Sequence, residues 1–182
     1  MDDNELIRYA LAGNTAAFGS LVQKYQNRLY NSVYRMVGGE QEARDIVQDA
    51  FVQAFVKLEG FQRASSFYTW LFRIAHNAMV SRRRRERPLA SLDMLREATG
   101  QEPLDGAAGP EQHLVQQETA AQVRQALAAL SEEHREILVL REIDGCDYET
   151  IAEMLEVPVG TVRSRLHRAR VQLRELLKQV VH

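Results

Sequence analysis

Cysteine is almost absent from this chain: of 182 residues only Cys146 carries a thiol. A single thiol forms no internal disulfide and no thiolate-rich metal site. With no lysine or histidine beside it in sequence, it reads as a small half-buried side chain rather than a redox centre. Long apolar runs are missing too. None approaches the roughly 20 residues that a bilayer crossing needs. The opening Met1-Asp2-Asp3-Asn4-Glu5 is acidic where a secretory signal is basic and then apolar, so the expected location is the cytoplasm. No segment alternates polar and apolar residues long enough to argue for strands. The five histidines and many carboxylates show no metal-ligand spacing, and neither a phosphate-cradling glycine loop nor a nucleophile motif is present. No enzyme, metal or cofactor is expected.

Helical periodicity fills most of what is there, and 45% hydrophobic content is enough to bury a core. Leu6, Ile7, Ala10 and Leu11 predict a short first helix ending near Gly13-Asn14. Ala17, Phe18, Leu21, Val22, Tyr25, Leu29, Val33 and Val37 mark a second, stopped at Gly38-Gly39. A third starts near Glu40 and sets Ile46, Val47, Ala50, Phe51, Ala54, Phe55 and Leu58 on one wide apolar stripe, with Gly60 closing it. Trp70, Leu71, Ile74, Ala75 and Ala78 define a fourth, which runs into four consecutive arginines at 82–85. Residues 86–115 then hold three prolines, three glycines and six acids against two arginines, the composition of a flexible acidic linker. Periodicity resumes with Val115, Val123, Leu127 and Leu130, then Ile137, Leu138 and Leu140. The expected fold is all-α, with one helical domain over 1–85, the linker over 86–115 and a second helical domain over 116–182.

Positive charge is scarce overall but concentrated. The formal net charge is −2, yet 159–182 sets six cations against the single Glu175, and 61–85 holds six arginines and no acid. Two local anion-binding surfaces follow without a generic polycation. In the second domain, Asp147 is placed to cap a helix with Tyr148, Ile151, Ala152 and Leu155 inward, and Glu149 suits its positive end. Glu156-Val157-Pro158 breaks that helix, and a new one starts between Pro158 and Thr161 with Val162, Leu166, Ala169 and Leu173 as its buried stripe. At about 100° per residue this turns Arg163, Ser164, His167, Arg168 and Val171 outward, with Arg165 and Arg170 on the flanks. A cationic face near a helix start is not favoured by the macrodipole, so helix stability does not account for it. A helix-turn-helix contact with a DNA major groove does. Arg163 and Arg168 are the expected base or phosphate readers, Arg165 and Arg170 phosphate clamps, and His167 a donor or acceptor at a base edge.

The other basic stretch interleaves Phe61, Phe67, Tyr68 and Trp70 with Arg63, ahead of Arg73, His76 and Asn77. Aromatic faces with arginines suit unstacked bases, each stacking contact contributing roughly 1–3 kcal/mol. Trp70 and Phe67 are also in phase with Leu71 and Ile74, and the same spacing fits a core. Both readings stand on spacing alone. The arginines at 82–85 span more than a helical turn, so some face water or phosphate on any geometry.

Three segments together, Gln48-Asp49-Ala50-Phe51, the run from Phe67 to Asn77, and Pro158-Val159-Gly160-Thr161-Val162-Arg163-Ser164-Arg165-Leu166, resemble the bacterial sigma-70 family in its small extracytoplasmic-function (ECF) group. The resemblance covers nearly all of the chain outside the linker. It implies a dissociable promoter-specificity subunit of RNA polymerase, monomeric when free, with core polymerase, promoter DNA and an anti-sigma factor as partners and stress response as its setting. By that likeness, Asp45, Gln48, Asp49 and Gln53 face the polymerase. The melted −10 strand would meet Phe61, Arg63, Ser65, Ser66, Phe67, Tyr68, Trp70, Arg73, Asn77, Arg82 and Arg83. The −35 duplex would meet Arg163, Ser164, Arg165, His167, Arg168 and Arg170. Many relatives carry Arg-Gly after the phenylalanine that opens the base-binding loop, where this chain has Gln62-Arg63-Ala64; without glycine the loop loses easy access to positive φ. Thirty linker residues relax to about 30 Å and extend to roughly 100 Å. Promoter elements about two turns of ~34 Å apart therefore need the linker held stretched, and the free protein should bind promoter DNA weakly. Two rivals are a dimeric helix-turn-helix regulator, for which no heptad seam appears, and a nucleic-acid enzyme, for which no catalytic motif appears.

Overall fold

The computed structural model describes residues 1–86 and 121–180, and every regular element among them is helical. The linker expected over 86–115, from residue 87 on, lies outside the described residues, as do Val115 and both expected domain boundaries beyond it. Two compact units divide the chain.

The first unit contains α1 (Asp3–Leu11), α2 (Thr15–Val37), α3 (Glu40–Val56) and α4 (Phe67–Glu86), with a 3-10 turn at Leu58–Gly60. Side chains cap the first two helices. Asp2 and Glu5 form a reciprocal capping box on α1, at 2.8 and 3.0 Å, and the Asn14 side chain accepts from Ala16 N–H at 3.1 Å. Gly38, at φ 79°, ends α2 in the left-handed conformation, and its N–H donates to the Tyr34 carbonyl at 2.8 Å. Leu21, Leu29, Val33 and Met36 of α2, Ala43, Ile46, Ala50 and Ala54 of α3, and Leu71, Phe72, Ala75 and Met79 of α4 are wholly buried. The alanines of α3 let its neighbours approach closely. Truncating any of the large members to alanine would cost about 2–5 kcal/mol. Helix α1 is pinned through Asp3, which accepts from the Tyr25 hydroxyl and from Lys24 Nζ at 2.5 Å. Burial, then the bond to Asp3, raises the Tyr25 phenol above its ordinary pKa.

The stripe expected on α3 departs from the structure at its end. Phe55 is 46% exposed, meeting Phe18 edge-on at 5.0 Å but otherwise open, and Val52 and Val56 are 59% and 76% exposed. The apolar face of α3 is wider than its neighbours cover.

The second unit is built from α5 (121–129), α6 (Glu132–Leu138) running into a π-helical turn at Val139–Ile143, α7 (Tyr148–Leu155) and α8 (Val159–Val180). The Arg135 guanidinium closes the end of α5 by donating to the carbonyls of Leu127, Ala128 and Leu130 at 2.8, 2.7 and 3.1 Å. Ile137, Leu138, Val139 and Leu140 are buried, whereas Val123, assigned to the apolar set from sequence, is 38% exposed.

Candidate nucleic-acid interface

The helix-turn-helix forms where the sequence pattern places it. Asp147 Oδ1 accepts from the Thr150 N–H at 2.7 Å and starts α7; that bond holds the Asp147 carboxyl below its usual pKa. Glu156 ends α7 at φ 54°, with Val157 N–H donating to the Ala152 carbonyl at 3.0 Å. The Pro158 carbonyl then accepts from Thr161 and Val162 at 2.9 and 3.1 Å, opening α8. Val162, Leu166 and Ala169 are buried and Leu173 half-buried, which leaves Arg163, Ser164, His167, Arg168 and Val171 exposed as the 100° projection requires.

Within that face the cations fall into two groups. Arg163, His167 and Arg168 make no ion pair among the described residues. Arg165 instead pairs with Glu133 of α6 at 3.3 Å, and Arg170 donates to one oxygen of Glu142 through Nε at 2.9 Å and Nη2 at 2.6 Å. The Glu142 carboxylate raises the Arg170 pKa further above its already high value. Sequence periodicity sets the flanking position of both arginines but cannot supply the acids that meet them. Ser164 donates to the Thr161 carbonyl at 3.1 Å and stays exposed.

The aromatic stretch of the first unit behaves differently. Ser66 caps α4, its Oγ accepting from Thr69 N–H at 3.0 Å, which puts Phe67 at the first helical position. Phe67 and Tyr68 are 2% and 4% exposed. Phe67 meets the rings of Tyr25, Phe61 and Trp70 at 5.7, 6.0 and 5.8 Å, while Tyr68 reaches Ser32 at 3.3 Å and lies under the Arg28 guanidinium at 4.0 Å. Both rings are covered: of the two arrangements that spacing allows at Phe67, the structure has the core one, with α4 starting at Phe67, and Tyr68 is buried beside it. Phe61 and Trp70, 5.0 Å apart, are half-buried. Between them Arg63 is exposed and adopts φ 57°, so the loop keeps a positive φ without a glycine. Ser65 and Arg73 are half-buried, and Ser66 and Asn77 exposed.

Arg82 and Arg83, beyond one turn of α4, are half-buried. Arg83 donates to the Met36 carbonyl at 3.5 Å, near the C-terminus of α2. Arg82 pairs with Asp45 at 3.7 Å and Asp49 at 3.3 Å, and its cleft between α3 and α4, also lined by Gln53, Lys57, Asn77 and Arg85, brings expected strand contacts beside expected polymerase contacts. Gln48, Asp49 and Gln53 are exposed and Asp45 is half-buried. Val52 and Val56 continue the same face toward its C-terminus, an apolar extension that the sequence reading assigned no role. Their four-residue spacing from Gln48 was the signal available. Among the described residues no His, Cys, Asp or Glu group is placed to hold a metal ion, and no helix is long and apolar enough to cross a membrane.

A basic helix-turn-helix in one helical unit and an arginine-bearing aromatic loop in the other define a DNA-binding transcription factor of two all-α parts. The model of sigma-70 region 2 matches residues 21–88, and that of sigma-70 region 4 matches 120–173. The chain belongs to the sigma-70 family, in its extracytoplasmic-function group. It is 36% identical over 182 residues to the ECF RNA polymerase sigma factor SigW of Bacillus subtilis, covering 96% of each chain. It is 38% identical to RNA polymerase sigma-H factor of Pseudomonas aeruginosa over 98% of this chain and 95% of that one. Among solved structures, the sigma factor RpoE of Bartonella quintana, in complex with the anti-sigma factor NepR, superposes with a TM-score of 0.72 at 29% identity, covering 88% of this chain and 96% of that one. CnrH, in complex with the cytosolic domain of CnrY, gives 0.70 at 29% identity over 97% of both chains.

Proposed function

We propose that this chain directs core RNA polymerase to promoters by reading duplex −35 DNA with α8 and holding the melted −10 strand on the Phe61–Ser66 loop, leaving all chemistry to the polymerase. The observation that carries the reading is the exposed row of Arg163, His167 and Arg168, without an ion pair among the described residues and set opposite the buried Val162, Leu166 and Ala169. Arg163 and Arg168 then reach base edges or phosphates, with Ser164 and His167 between them, and Arg165 and Arg170 contact phosphate from the flanks, where they pair with Glu133 and Glu142. On the strand side Phe61 and Trp70 supply ring surface, Ser65, Ser66 and Asn77 polar atoms, and Arg63, Arg73, Arg82 and Arg83 charge. Phe67 and Tyr68 act beneath them as supports.

Polymerase docks on the α3 face of Asp45, Gln48, Asp49 and Gln53, extended by the exposed Val52 and Val56. An anti-sigma protein that covers these surfaces fits the complexes formed by RpoE and CnrH, and the free chain is read as a cytoplasmic monomer. In vitro transcription with purified core enzyme tests the reading: the full chain must confer start sites that core enzyme alone does not use. Promoter-independent initiation in its presence, or specific duplex binding as a dimer without polymerase, would reject it.

A further inference from the structure

Two non-glycine residues among those described take a positive φ, Glu156 at 54° and Arg63 at 57°. The first is accounted for locally, since it closes α7 with a hydrogen bond across the end of the helix. Arg63 has no such cause. It lies in a bend anchored at both ends, by Phe61 against Phe67 and Trp70 and by the Ser66 cap on α4, while its own side chain is exposed and has no partner among the described residues. Left-handed backbone disfavours an L side chain and leaves glycine indifferent. An arginine here keeps a strained conformation that a glycine would relax, and strain of this kind persists where the residue is used. No acid occurs between Phe61 and Arg85 in sequence, so nothing in this stretch neutralises the charge at the tip.

We propose that Arg63 is a strained strand-binding residue: its guanidinium donates to acceptor atoms of the extruded nucleotides, and stability and strand binding trade against each other at this one position. The inference rests on the strand-holding role proposed above and adds to it the conformational cost at which Arg63 supplies the charge of this loop. The acceptors are phosphate oxygens or a base edge, both offering lone pairs to a guanidinium.

The test uses full-length chain, alone for thermal unfolding and bound to core polymerase for capture of fluorescent single strands selected from a randomised pool. Arg63→Gly is expected to raise the unfolding midpoint by roughly 4 °C or more and to weaken strand capture by about tenfold. Arg63→Asn, which tolerates the left-handed region without the charge, should lose capture to the same extent, and Arg63→Lys should keep most of it. A salt slope reduced by about 0.7 identifies a phosphate contact, whereas an unchanged slope with altered base selection identifies a base edge. Glycine and asparagine variants that capture strands as wild type does, asparagine retaining capture where glycine loses it, or a glycine variant less stable than wild type would each overturn the proposal. Wild-type holoenzyme that captures no strand at all would instead sink the functional reading on which it rests.

Discussion

The two basic regions carry nearly equal charge in sequence, +5 over 159–182 and +6 over 61–85, but are built by opposite rules. On α8 a regular helix presents its side chains by rotation, so burial of Val162, Leu166 and Ala169 dictates what faces out. The Phe61–Ser66 loop has no such period. Its shape comes from one cap, one ring cluster and one strained φ, and two aromatics of the adjoining helix, Phe67 and Tyr68, serve as its foundation. A rigid duplex can be read from a preset row, whereas an unstacked strand needs a surface held open from beneath.

The largest expected effect tests that foundation. Phe67→Ala removes a ring that is 2% exposed and should destabilise the first unit by about 3–5 kcal/mol, lowering its thermal midpoint together with strand capture. Trp70→Ala, at a half-buried position, should lose capture with a smaller fall in midpoint. Equal stability of wild type and Phe67→Ala would contradict the assignment of Phe67 as a support, and the contrast between loop and helix with it.

On the helix the expected pattern is reversed. Arg163→Ala with Arg168→Ala removes two exposed cations that make no ion pair among the described residues. Each contact contributes about 1–3 kcal/mol to DNA binding, so promoter-dependent initiation should drop on the order of 100-fold while the unfolding midpoint stays put. A variant that initiates from the same start sites at wild-type rate would break the α8 reading.

These two regions also differ in how much of them the sequence disclosed. The exposed and buried sides of α8 follow from 3.6-residue geometry once Pro158 places the helix start, and the same geometry marks α1 to α4 and most of their core. Phe55 escaped because periodicity says which side of α3 is apolar but not how far its neighbours extend to cover it. Phe67 is ambiguous on spacing because a stacking platform and a core both want aromatics in that phase, and the ring contacts of Phe67 and Tyr68 with Tyr25 join residues more than forty apart. The pairs Arg82–Asp45, Arg82–Asp49 and Arg170–Glu142 are likewise tertiary, and no local pattern announces them. Arg63 was legible as a departure from glycine, while its positive φ required coordinates.

A smaller effect probes the paired arginines of the flanks. Glu142→Gln weakens the hold on Arg170; because both side chains are nearly half exposed, stability should change by less than about 1 kcal/mol. Removing a negative charge beside the DNA-facing helix should tighten duplex binding at low salt, with the gain fading as ionic strength rises. If Arg170 needs Glu142 to be positioned, binding weakens instead and the salt trend disappears, so the sign of the change decides between brace and competitor.

The smallest effect contrasts how the two regions start their helices. Ser66 caps α4 with a hydroxyl that does not titrate, whereas Asp147 caps α7 with a carboxylate whose pKa is lowered by the Thr150 N–H. A depressed folded-state pKa means that the unfolded chain binds the proton first. The cap's contribution is therefore complete above the ordinary aspartate value of about 3.9 and is lost as pH falls through the lower folded value. Asp147→Asn retains an oxygen acceptor without that titration. Unfolding followed by a probe in the second unit should lose stability less steeply below about pH 4 in this variant than in wild type, and the two should nearly coincide at neutral pH. Asp147→Ala should be weaker than either at neutral pH because the acceptor itself is gone. Ser66→Ala should lower the stability of the first unit without adding any acid dependence of its own. An acid limb unchanged by Asp147→Asn would assign the pH sensitivity of the helix-turn-helix to another carboxylate.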